Sequence, residues 1–93
     1  MSNKELEHYD KQEFKRRLAK IKEDSGCVDC GANNHIILDF DHLRDKKYNI
    51  SRMIHDGFSW KAIKKEIEKC EVVCANCHRI RTHNRRIEGI HEF

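Results

Sequence analysis

Apolar residues recur at helical spacing in two stretches of the chain. Across residues 4–24, Leu6, Phe14, Leu18 and Ile21, with Tyr9 beside them, stand among charged neighbours and predict an amphipathic helix. Asp24-Ser25-Gly26 ends it, because a short polar pair and a glycine favour a helix stop. In the second stretch Ser59 is a candidate N-cap for a helix running to about residue 69. Its apolar face is Trp60, Ile63, Ile67 and Cys70, which makes Cys70 a core residue. Between the two stretches, residues 36–40, β-branched or apolar apart from Asp39, predict a strand that leads straight into Asp41-His42. A polar loop over 43–50, a helical turn over 50–55 stopped by Gly57, and an extended Val72-Val73 pair follow. A last helix is expected to start near His78.

These elements supply few core side chains. Of the 93 residues, 38% are hydrophobic and another 38% charged, so the apolar faces are narrow. A chain this short buries only about 60% of its unfolded surface and needs a staple when its core is thin. A Rossmann or barrel enzyme does not fit in this length. Nor is there an apolar run of the roughly 20 residues that a membrane span needs. The opening residues lack an apolar signal core, so an intracellular, cytoplasmic setting is expected.

The five cysteines indicate the staple. Cys27/Cys30 and Cys74/Cys77 are C-x-x-C pairs, and Cys70 is the odd one. In a reducing compartment disulfides are disfavoured. The same spacing lets two thiolates in a tight turn face one tetrahedral ion, so the two pairs together suggest a shared structural zinc site. Gly31 and Asn33-Asn34 close the first knuckle. Structural zinc contributes on the order of 10 kcal/mol to folding, which would offset the missing core.

Candidate chemistry concentrates in Leu38-Asp39-Phe40-Asp41-His42 and in Cys74-Ala75-Asn76-Cys77-His78-Arg79. Asp41 offers a carboxylate to a hard cation, and His42 an imidazole suited to general-base work near neutral pH. If one zinc joins the knuckles, Asp41 and His78 come within reach of a second metal. Asp39 shares a strand face with Asp41 and is a lesser candidate for that metal. His83, slightly more than a turn beyond His78, is another. Charge is uneven: the net is +3, and the tail from residue 78 carries Arg79, Arg81, Arg85 and Arg86 against two glutamates. On one helix those arginines form a basic surface suited to phosphates, such as those of a nucleic-acid backbone, whose contacts position a protein without reading sequence.

Taken together, Phe40-Asp41-His42 and the later Cys-x-x-Cys-His-Arg, set between two C-x-x-C knuckles, resemble the HNH endonucleases, and within them the small zinc-containing enzymes of phages and prophages. The likeness covers about residues 26–86. It implies an α+β domain with a ββα-metal fold at residues 26–88, preceded by a charged helix over 1–25 and followed by a short tail at 89–93. It also implies hydrolysis of DNA phosphodiester bonds, with His42 as general base. Asp41 and His78 would hold one catalytic Mg²⁺, Mn²⁺ or other divalent ion that stabilises the pentacovalent phosphate and the leaving 3′-oxygen. Cys27, Cys30, Cys74 and Cys77 would hold a zinc apart from the chemistry. The implied partners are DNA, a second copy of the chain or phage packaging proteins, in the cytoplasm of a bacterial host. The family's middle asparagine has no obvious counterpart: Lys69 stands at one of its places, and Asn76 is the remaining candidate. The competing expectation is a zinc-dependent nucleic-acid-binding module without catalysis.

Overall fold

The computed structural model describes residues 10–89; Leu6, Tyr9 and the rest of the expected helix before Asp10 lie outside the described residues. The first described helix, α1 (Lys11–Ser25), begins where the Asp10 carboxylate accepts the Glu13 amide at 2.9 Å. It stops at Gly26, whose φ of 67° lies in the left-handed region that a glycine enters without steric cost. A 3-10 turn (His35–Ile37) and strand β1 (Leu38–His42) follow. Next come helices α2 (Ile50–His55) and α3 (Trp60–Ile67), strand β2 (Cys70–Cys74) and helix α4 (Ala75–Ile87). The architecture is a small α+β one built on a two-stranded antiparallel sheet.

Several boundaries differ from the expected ones. The strand begins at Leu38, because the Asn34 side chain accepts the Ile36 amide and winds residues 35–37 into the turn, leaving Ile36 78% exposed. Asp41 and His42 consequently lie within the strand. Helix α3 keeps its Ser59 cap, with Oγ accepting the Ala62 amide at 3.2 Å, but ends at Ile67. Cys70 is therefore not on a helix face; it opens β2, half-buried, paired with His42 across the sheet. Helix α4 starts at Ala75, three residues before His78, because Cys74 Sγ accepts the Cys77 amide at 3.4 Å and caps it. The second knuckle is thus the first helical turn.

Two apolar clusters hold the elements. Phe14, Leu18, Ile50, Met53, Ile54 and Ile63 join α1, α2 and α3, with Trp60 tilted against Phe14 at a centroid distance of 5.4 Å. Leu38, Val72, Val73, Cys27 and Cys74 form the second cluster around the sheet, and Phe40 packs on both. Full burial of residues such as Leu38, Ile63 and Val73 is worth about 1.5–3 kcal/mol each. Strand β2 is flanked by β1 on one edge and by the first knuckle, through Val28 N–H to Val72 O at 2.9 Å, on the other. The outer edge of β1 has no strand beside it among the described residues.

Candidate functional site

The register Leu38↔Cys74, Phe40↔Val72 and His42↔Cys70 sets the functional side chains on two faces of β1. Asp39 and Asp41 alternate onto the face covered by α4, and His42 onto the face toward α3. The free edge of β1 lies between them. Along it runs a cleft of about 250 Å³, lined by His42, Asp39 and Phe40 of β1, His78 of α4, Lys22 of α1 and Lys46 and Asn49 of the following loop. His42 and His78, far apart in sequence, thus share one cavity.

At the far end of the sheet Cys27, Cys30, Cys74 and Cys77 bring their sulfurs within 4.8 Å of one another, a group that could bind zinc. The Cys30 and Cys74 sulfurs are 3.7 Å apart, too far for a disulfide of about 2.05 Å. Two sulfurs at about 2.3 Å from a tetrahedral zinc are separated by roughly that 3.7 Å. Burial pushes the Cys27 thiol up, but the amides of Cys74, Asp29 and Cys30 outweigh it and lower it to about 6. The Cys77 thiol is pushed up, first by its contact with Cys74 and then by burial. Four thiolates this close repel one another, and a bound cation removes that repulsion. Among the described residues this is the one group of three or more metal-ligating side chains gathered so tightly.

His42 is buried, and its Nε2 lies 3.0 Å from Glu66 Oε2. Burial depresses its basicity and outweighs the pull of the Glu66 carboxylate, so the ring is held below its ordinary pKa of 6.5. A neutral ring donating from Nε2 to Glu66 keeps its lone pair at Nδ1. Glu66 is itself buried, 3% exposed, and accepts the Lys47 and Tyr48 amides and the Lys69 ammonium. Burial raises its carboxyl, but the Lys69 contact and those two amides prevail and lower it. The sequence reading did not assign Glu66. A trace of it was present, since position 66 falls between Ala62 and Ile63 around α3, on the border of its apolar face.

Asp41 is 2% exposed and heavily engaged. Burial raises its carboxyl, and the guanidiniums of Arg85 and Arg81 more than reverse that, leaving it lowered. Arg85 meets it through two nitrogens at 2.8 and 2.7 Å, and Arg81 through one at 2.8 Å. His78 approaches it as well, with Nε2 3.4 Å from Asp41 Oδ1, while its Nδ1 lies 3.2 Å from Asp39 Oδ2. Asp41 and His78 are therefore close enough to reach one ion, but a cation at Asp41 must displace a guanidinium contact.

The four expected phosphate-binding arginines divide by helix face. Arg81 also binds Asp29 and Glu71, so it and Arg85 point toward acids of the sheet and first knuckle. Arg79 and Arg86 are exposed and line a shallow hollow with Asp39, His78 and Thr82. His83 is exposed, about 140° around α4 from His78, and does not line the cleft. Asn76 is exposed on the first turn of α4; the side chain bonded to His42 is that of Glu66. Among the described residues no helix is long and apolar enough to cross a membrane. Compared with family models, curated proteins and solved structures, the chain finds no match.

Proposed function

We propose that the chain is a metal-dependent endonuclease of HNH type, with β1, β2 and α4 as its ββα-metal unit and DNA as its substrate. The observation that carries this reading is the shared cleft: the candidate base His42 and the candidate metal ligand His78, with Asp41 3.4 Å from the latter, meet at one strand edge. Zinc at Cys27, Cys30, Cys74 and Cys77 ties the first knuckle to the start of α4 and so fixes His78 relative to β1. His42 accepts the proton of the attacking water at Nδ1 while Glu66 holds Nε2–H. Asp41 and His78 hold a divalent cation, Mg²⁺ or Mn²⁺, which when bound stabilises charge on the phosphate and the leaving oxygen. Lys22 and Lys46 on the cleft wall draw the phosphodiester toward that edge. A DNA phosphate attracts Arg85 too, and its departure would open Asp41 Oδ1.

Incubation of the zinc-loaded protein with supercoiled plasmid and Mg²⁺ or Mn²⁺, beside His42→Ala, tests the reading. Relaxed or linear product from the wild type and at least a hundredfold less from His42→Ala is expected, as loss of a general base costs about 10²–10⁴-fold. Equal cleavage by both would remove His42 from the mechanism. The double guanidinium cover on Asp41 favours a second reading, a zinc-dependent nucleic-acid-binding module without catalysis. DNA binding with no cleavage under any divalent ion would select it.

A further inference from the structure

Helix α1 sorts its basic residues by partner. Arg16 and Arg17 both bind Glu13, and Lys20 binds Asp24. Among the described residues Lys11 and Lys15 form no ion pair, and Lys22 feels the Asp39 carboxylate without an ion-pair contact to it. These three lysines fall within about 40° of arc on the helix, while Arg16 and Lys20 stand roughly 100–180° away from them. The sorted lysines all line one groove of about 430 Å³ between α1 and α2, with an apolar floor of Leu18, Ala19 and Ile54. His35 and His55 stand on its rim, and each already faces an acid, Glu23 and Asp56 respectively.

This groove is continuous with the candidate cleft. Lys22 and Ser51 line both. The Lys22 ammonium sits 5.1 Å above the Phe40 ring, so a cation–π contact holds the charge at the junction. From Lys22 to Lys11 the helix rises about 16 Å at 1.5 Å per residue. Successive phosphates lie farther apart along a DNA strand than their 3.4 Å or so of axial rise, so that length suits a few of them, about one for each lysine.

We infer that the α1–α2 groove is the track for one strand of a DNA substrate leaving the cleft, its phosphates against Lys22, Lys15 and Lys11 and its sugars over the apolar floor. The inference rests on the endonuclease reading for the direction of the strand, but it assigns substrate binding to a helix outside the stretch that resembles nucleases. It also shifts the main phosphate contacts from Arg81 and Arg85, which face acids, to α1.

Binding of a fluorescein-labelled 20-base-pair duplex to the zinc-loaded protein, followed by anisotropy across a salt series without Mg²⁺ or Mn²⁺, tests it. Lys11→Glu/Lys15→Glu changes two exposed positions and leaves the core untouched. It is expected to weaken binding at least about tenfold and to reduce the slope of log K against log salt by about 2, since each phosphate contact contributes roughly 0.9. Arg16→Glu/Lys20→Glu makes the same change in net charge on the other flank, and less than about a threefold loss is expected. Equal losses in the two variants, or no loss in the first, overturn the track while plasmid cleavage by the wild type leaves the endonuclease reading standing. Polyglutamate competing as well as DNA at equal charge also overturns it, because the groove would then be a site for acidic protein. A wild type that binds no DNA overturns both.

Discussion

Glu66 brings a carboxylate to a position with 3% exposure, where an unpaired charge would be prohibitive, and it is held there by Lys69, two backbone amides and His42. Glu66→Gln keeps the shape and removes the charge, so it should cost about 1–3 kcal/mol at pH 7. The pH dependence has a definite sign. The folded carboxyl lies below its ordinary value of 4.5, so its contribution is fully present above that value and is lost as pH falls through the lower, folded one. Urea unfolding of wild type and Glu66→Gln at pH 7 and at steps below 4.5 should show the gap between them closing. A gap that stays constant would mean that packing, not charge, makes the difference. A ring-nitrogen NMR measurement on His42 should find the Nε2–H tautomer in the wild type and a mixture in Glu66→Ala. None of this could be read from sequence beyond a charged residue at the border of an apolar arc, because the His42–Glu66 pair exists only once α3 packs under β1.

At the scale of elements, what was legible followed from local chemistry. The Ser59 cap of α3, the short helix ended before Gly57 and the stop of α1 at Gly26 depend on neighbours a few residues away, which the sequence displays. Boundaries decided by a distant partner were displaced. Ile36 and Ile37 have strand composition, but ladder pairing begins only at Leu38↔Cys74, and Asn34 winds the unpaired residues before it into a turn. Cys70 continues the three-to-four step of α3 but falls in β2 opposite His42. The arginines of α4 show the same limit: their helical spacing is plain, whereas the acids that receive Arg81 come from three other segments. Asp29 of the knuckle, Asp41 of β1 and Glu71 of β2 all bind this one guanidinium, at 2.7, 2.8 and 3.0 Å. Arg81 thereby staples α4 to the sheet. Because Arg85 remains on Asp41, Arg81→Ala should cost about 1.5–3 kcal/mol in urea unfolding, the range for hydrogen bonds to charged groups, rather than the full cost of an abandoned buried charge. Arg79→Ala, on the exposed face, should stay within about 0.5 kcal/mol.

For the whole molecule, the two apolar clusters differ in what completes them. The cluster of α1, α2 and α3 is closed by aliphatic and aromatic side chains alone. The cluster around the sheet contains Cys27 and Cys74, with Cys77 packed against it, so its interior ends in thiols that converge within 4.8 Å. A zinc ion there would act as the last core residue, joining residues 27–30 to residues 74–77. The candidate cleft lies at another part of the sheet, but β1 and α4, which carry Asp41 and His78, would be oriented by that junction. Zinc removal should therefore abolish the cleft without the ion touching it. Metal analysis of the purified protein should find about one zinc, and a strong chelator should unfold the sheet cluster, since structural zinc supplies on the order of 10 kcal/mol. Cobalt substitution gives the discriminating readout through the absorption of a tetrahedral thiolate site. Cys27→Ser should weaken that signal and lower the melting temperature, whereas Cys70→Ser, on the strand but outside the cluster of four sulfurs, should leave the spectrum unchanged. Loss of the cobalt signal in Cys70→Ser, or a signal undiminished in Cys27→Ser, would place the metal elsewhere and remove the reason that so short and polar a chain holds β1 and α4 together.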